Sequence, residues 1–280
     1  MADLPPIPKV SKFKIALCQL KVTMDKAQNI IEACKSIEDA AQKGAMLVVL
    51  PEMWNCPYSS DNFSRFAEDF NDRNTSPSFM MLSEVAHSQG ITIVGGSVPE
   101  RCGGRLYNTS CVFGADGKLI AKHRKVHLFD INMPGEISFK ESDIFTAGDK
   151  PTVVDTDVGH IGIGICHDIR FPELSMLYAS RGVHLICYPG AFNMSTGEAL
   201  WELLFVATCS PARASSGSYI IWGHSTLVGP FGEIIATAGC EETTVIAEVD
   251  YSMIQLRRES LPLEKQKRGD IYKVVDYFMD

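Results

Sequence analysis

Gly162-Ile163-Gly164-Ile165-Cys166-His167-Asp168-Ile169-Arg170-Phe171-Pro172-Glu173 reads as a buried strand that breaks sharply into an amphipathic helix, with a cysteine at the break. That geometry sets a thiol beside the unpaired N–H groups of a helix start, where negative charge is favoured. A cysteine so placed is a candidate nucleophile, because the thiolate is the reactive form. Working outward, the flanks alternate strands with helices. Phe13–Leu20, Met46–Leu50, Ile91–Val98 and Val183–Tyr188 are apolar strands. Asp25–Lys43 and Ser78–Gln89 carry helical spacing and are closed by Gly44 and Gly90. Phe171–Ser180 is a third helix, with Phe171, Leu174 and Leu177 on one face. Hairpin signals join Leu106–Phe113 to Lys118–His123, Thr152–Asp155 to Ile161–Cys166, and Tyr219–Val228 to Glu233–Ala238. Val245–Val249 is a last strand. The fold class is α/β, a mixed sheet covered by helices rather than a purely parallel one.

The chain has 280 residues, 45% hydrophobic and 21% charged, enough to bury a sizeable core. No linker or repeat divides it, so residues 13–280 read as one domain behind a flexible arm, Met1–Lys12. No apolar run approaches the ~18 residues that span a bilayer. A net charge of −8 without a basic run argues against nucleic acid and anionic membranes as partners. The nine cysteines are scattered, without CxxC spacing, which favours a reducing, cytoplasmic setting.

Two other segments supply what a nucleophile at Cys166 needs. Glu52 ends a buried strand, where its carboxylate can face a cleft. Lys125 sits in Lys122-His123-Arg124-Lys125, beside His127. Each has an inert reading alone: an ion-paired glutamate, a solvated lysine, one more buried thiol. His123 and His127, four apart, suggest a metal pair, but no third ligand is in register. No metal or cofactor is expected.

As an ordered set, Pro51-Glu52, Arg124-Lys125-Val126-His127 and Gly164 to Glu173 resemble the nitrilase superfamily of carbon–nitrogen hydrolases. Lys122 to Asp130, Phe139-Lys140-Glu141-Ser142 and Tyr188-Pro189-Gly190-Ala191-Phe192-Asn193 resemble its omega-amidase branch. The resemblance runs from about Phe13 to Tyr272. It implies a four-layer αββα sandwich, a Glu52–Lys125–Cys166 triad with Glu141 as a second glutamate, and a homodimer or larger assembly. The oxyanion would meet Lys125 and the backbone N–H of His167. The substrate would be a monoamide of a short 2-oxo dicarboxylate, such as 2-oxoglutaramate or 2-oxosuccinamate. Its far carboxylate would meet Arg170, a bidentate cation, with His127, Phe192 and Tyr58 lining the pocket.

The resemblance also leaves two departures. His167 stands where the superfamily usually has tyrosine. After Trp201-Glu202-Leu203-Leu204 the superfamily continues its helix for roughly ten residues, about three turns, whereas here Phe205 follows at once. Two competing readings stand: a deaminated-glutathione or other nitrilase-family amidase, which needs the same triad, and, from the missing helix, a catalytically weak variant acting as an interaction protein.

Overall fold

In the computed structural model, the described residues are 10–133, 137–191, 205–213, 220–260 and 275–277. The strands are β1 (Lys12–Gln19), β2 (Ala45–Val49), β3 (Thr92–Val94), β4 (Val98–Cys102), β5 (Arg105–Phe113), β6 (Leu119–Arg124), β7 (Asp130–Met133), β8 (Ile137–Lys140), β9 (Thr152–Thr156), β10 (Gly159–Ile163), β11 (Leu185–Pro189), β12 (Phe205–Cys209), β13 (Thr226–Val228), β14 (Ile234–Thr237) and β15 (Thr243–Asp250). The helices are α1 (Lys26–Gln42), α2 (Ser60–Phe66), α3 (Pro77–Gln89), α4 (Pro172–Ser180) and α5 (Ser252–Ser260).

Among the described residues two mixed sheets form. The first runs β15-β1-β2-β3-β5-β4, with β6 also on β5; the second runs β14-β13-β12-β11-β10-β9. Side-chain alternation builds the layers. Phe13, Ile15 and Leu17 of β1 pack with Leu185 and Cys187 of β11 and Phe205 and Ala207 of β12, in the core between the sheets. The opposite faces look outward. Ala16 and Cys18 meet Ala33 and Ile37 of α1 and Leu82 and Val85 of α3. Ile186 and Val206 meet Leu174 and Tyr178 of α4. The result is the expected αββα order.

The helix limits follow their caps. Asp25 accepts the Gln28 N–H at the start of α1, and Gly90 ends α3 in the left-handed region at φ 63°. Three expectations need correcting. The strand expected over Ile91–Val98 is two strands, broken at Gly95-Gly96. There Trp54 Nε1 donates to the Gly95 carbonyl at 2.8 Å, and Gly96 turns at φ 62°. The buried face of α4 is Leu174 and Tyr178, four apart and on one side of the helix, whereas Leu177 is half-buried. The break at Cys166 is not directly an α-helix but a 3-10 turn, Cys166–Arg170, that precedes α4. In addition, Lys12, placed in the N-terminal arm, opens β1 opposite Asp250.

Phe192 and the segment before Phe205 lie outside the described residues. β11 and β12 are parallel neighbours, which calls for a crossover connection between them. Parallel strands need a dozen or more residues for this.

Candidate active site

β10 reaches the site with glycines on its helix-facing side. A Cβ on Gly162 would lie 2.9 Å from the Tyr178 ring, and one on Gly164 would collide with Tyr188. The two tyrosine rings occupy that room, and Tyr178 Oη donates to the Ile163 carbonyl at 2.6 Å. The chain then turns hard, leaving Cys166 at φ 45°. A left-handed φ at a residue with a side chain is costly and is characteristic of nucleophiles held at strand ends. Glu52 follows β2 beside a similar turn, since Met53, directly after it, has φ 52°.

Glu52, Lys125, Glu141 and Cys166 come together and are buried, the first three at 0% exposure. Lys125 Nζ lies 3.0 Å from Glu52 Oε1 and 2.8 Å from Glu141 Oε2. Cys166 hydrogen-bonds the same Glu52 carboxylate. The Ala191 N–H donates to Glu52 Oε2 at 2.8 Å, and the Phe129 N–H donates to Glu141 Oε2 at 2.6 Å. The β7–β8 ribbon, in register from Asp130↔Lys140 to Met133↔Ile137, delivers Glu141 to this point.

The electrostatics follow from burying two carboxylates with one ammonium. Burial raises the Glu52 carboxyl above its ordinary value, and Glu141 adds to that, while Lys125 opposes it. Burial alone would lower Lys125, but Glu141, Glu52 and Cys166 hold it well above the ordinary lysine value. The thiol departs from expectation. Burial and then the Glu52 charge push Cys166 well above its usual range, with Lys125 pulling the other way. The short 3-10 turn does not create a standing thiolate; the thiol holds its proton until a base takes it.

Beneath Cys166, Asp168 gathers four donors. The Ile165 N–H, the His127 N–H and His127 Nδ1 each lie at 2.8 Å, and His123 Nε2 at 3.2 Å. Asp168 is acceptor-only when ionised, so both imidazoles present N–H groups to it. Burial would raise its pKa, but His123 and His127 hold it well below the usual carboxylate range. The histidine pair that suggested a metal thus shares a carboxylate.

The remaining candidates flank this centre. His127 stacks on Phe171 at 3.6 Å between ring centroids. The His167 ring packs edge-on to Phe129 and Phe171, and burial, Lys125 and Arg170 lower its pKa. Arg170 is exposed at the end of the 3-10 turn. Tyr58 is buried against Phe63 and Phe139, in a cluster that includes Ala191. Sequence reasoning missed Asn108 and Asp168. Asp168 could have been suspected from its place two residues past the cysteine. Asn108, inside a strand, gave no signal.

Comparison with known proteins agrees with this geometry. The carbon–nitrogen hydrolase family model matches residues 14–259. A chloroplastic omega-amidase of Arabidopsis thaliana is 61% identical over 282 aligned residues, covering 97% of this chain and 76% of the relative. Omega-amidase NIT2 of Homo sapiens is 46% identical, covering 95% of this chain and 98% of the relative. The crystal structure of Nit3 from Saccharomyces cerevisiae, of branch 10 of the nitrilase superfamily, superposes with a TM-score of 0.85 at 41% identity, covering 95% of this chain and 100% of that one. With its αββα layers and its buried Glu, Lys and Cys at strand ends, this chain belongs to the carbon–nitrogen hydrolase family, in the omega-amidase branch of the nitrilase superfamily.

Proposed function

We propose that this protein is an omega-amidase that hydrolyses monoamides of short 2-oxo dicarboxylates, 2-oxoglutaramate and 2-oxosuccinamate among them, to the dicarboxylate and ammonia. The observation that carries the chemistry is the convergence of Cys166 and Lys125 on one buried carboxylate, Glu52. The omega-amidase names of relatives over nearly the full chain support the substrate class.

Glu52 takes the Cys166 proton as sulfur attacks the amide carbon. The carbonyl electron pair moves to oxygen, where the Lys125 ammonium and the His167 N–H receive the charge; fixed donors of this kind are worth about 3–4 kcal/mol each. The pair returns, the C–N bond breaks, and the nitrogen leaves as ammonia with the Glu52 proton. Glu52 then takes a proton from water as its oxygen attacks the thioester. Collapse breaks the C–S bond, and the sulfur regains its proton from Glu52. A carboxyl raised by burial suits both duties. Glu141 orients Lys125. Arg170 anchors the distal carboxylate, with His127, Tyr58 and Phe192 as walls.

No described helix is long and apolar enough to cross a membrane. The nine cysteines are all free thiols, which supports a reducing compartment, and we assign the protein to the cytoplasm. As a partner we assign a second copy, in a homodimer or larger assembly, with no role for nucleic acid or membrane. The test of the activity is ammonia release by the purified full chain from 2-oxoglutaramate against a neutral amide of equal length. Preference for the neutral amide would overturn the substrate class. A folded sample inactive on both would leave the interaction-protein reading.

A further inference from the structure

Asn108 lies inside β5 and touches three members of the site. Its Nδ2 donates to Glu52 Oε1 at 2.8 Å and to Glu141 Oε1 at 3.1 Å. Its main-chain carbonyl accepts the Lys125 N–H at 2.9 Å. The two carboxylates are therefore held side by side, between one ammonium and one amide, and all four side chains belong to residues at 0% exposure. The orientation of the amide is dictated by its donors. Turned over, its carbonyl oxygen would face two carboxylate oxygens, and Oδ1 has no hydrogen-bond partner among the described residues to favour that arrangement.

We propose that Asn108 is a positioning residue of the amidase reaction, clamping Glu52 and Glu141 together and holding Glu52 as the base for Cys166. The proposal rests on the function given above. Two ionised carboxylates beside one ammonium leave one buried negative charge. A second cation here would cancel it and weaken Glu52 as a base. A neutral amide supplies two donors and adds no charge. Donation to ionised carboxylates favours that form, so Asn108 opposes the burial and the mutual repulsion that raise the Glu52 carboxyl. The titratable groups facing Glu52 are Lys125, Glu141 and Cys166. The uncharged donors to its carboxylate are the Asn108 amide and the Ala191 main-chain N–H, and of these only Asn108 also reaches Glu141.

Asn108→Leu removes the amide at nearly constant volume and keeps the main-chain bond to Lys125. Asn108→Asp keeps the shape and adds a third carboxylate. Two profiles are measured for each: kcat/KM for ammonia release from 2-oxoglutaramate against pH, and the rate of iodoacetamide alkylation of Cys166 against pH, read by peptide mass spectrometry. The expected result is an acid limb moved up by about one pH unit in Asn108→Leu, roughly a tenfold loss at a pH on the limb, and further in Asn108→Asp. A packing role lowers activity by one factor at every pH and leaves both limbs in place; that result overturns the proposal. If Asn108→Leu does not fold, Asn108→Asp decides. If the wild type is alkylated but releases no ammonia, the functional assignment fails, and the alkylation limb alone decides the role of Asn108.

Discussion

Asp168 Oδ1 accepts two hydrogen bonds from His127, one from the main-chain N–H and one from Nδ1, each at 2.8 Å. Through this pair the segment that carries Lys125 is tied to the turn that carries Cys166. Because Oδ2 takes the Ile165 N–H and His123, the carboxylate acts as a rivet between the ends of β6 and β10.

Asp168→Asn should therefore destabilise the fold by about 3 kcal/mol at pH 7, the usual cost of breaking a buried charged network. The sign of its pH dependence follows from the depressed carboxyl. Its contribution is in full force above the unfolded value of about 3.9 and is lost only as pH falls through the lower folded value. Urea denaturation at pH 7 and at pH 4 should show the same deficit, and the deficit should shrink at still lower pH. Equal stability of variant and wild type at pH 7 would contradict this.

Cys166→Ala should reduce turnover by roughly 10⁴-fold or more while leaving substrate binding measurable by calorimetry. Alanine tolerates the φ of 45° no better than cysteine does, so stability should be little changed. Turnover surviving in this variant would defeat the thioester mechanism.

Lys125→Met removes the proposed oxyanion cation and leaves Glu52 and Glu141 without the ammonium between them. A loss of roughly 10²–10³ in kcat is expected from the missing donor. Glu52 loses the charge that opposes its upward shift, so the acid limb of kcat/KM should also move up. A limb that stays in place would show that Glu52 is not the titrating base.

Arg170→Met should raise KM for 2-oxoglutaramate by about 10- to 100-fold, as expected when a bidentate carboxylate anchor is removed, and should leave a neutral amide unaffected. Comparable losses on both substrates would make Arg170 structural.

The parts of the site that sequence reasoning reached all sit where a strand stops. Glu52, Lys125, Glu141 and Cys166 each follow the last residue of a strand within a few positions; apolar runs mark the ends at Glu52 and Cys166, whereas Lys125 and Glu141 came from the resemblance of their segments to the superfamily. Asn108 was illegible for the opposite reason. It sits mid-strand among Leu106, Tyr107, Thr109 and Ser110, and only the register of β5 beside the end of β6 brings it to the carboxylates. The β7–β8 ribbon was missed because its strands are four residues each and carry no alternation strong enough to announce them. Gly95-Gly96 was read through as strand because the apolar run continues across it; the break is imposed by Trp54 from elsewhere. The elevated thiol was unforeseeable from a helix-start argument, which counts local N–H groups but not the neighbouring carboxylate.

The pairing of β1 with β15 joins Lys12 to Asp250 and Gln19 to Thr243. One edge of β1 consequently stays unsealed until β15 has been synthesised. At synthesis rates of about 5–20 residues per second, that wait is on the order of 10–50 s. Throughout it an apolar strand with unpaired main-chain groups stands open to a neighbouring nascent chain. Closure of the first sheet thus waits on β15, and β1 is among the last of its strands to gain both neighbours.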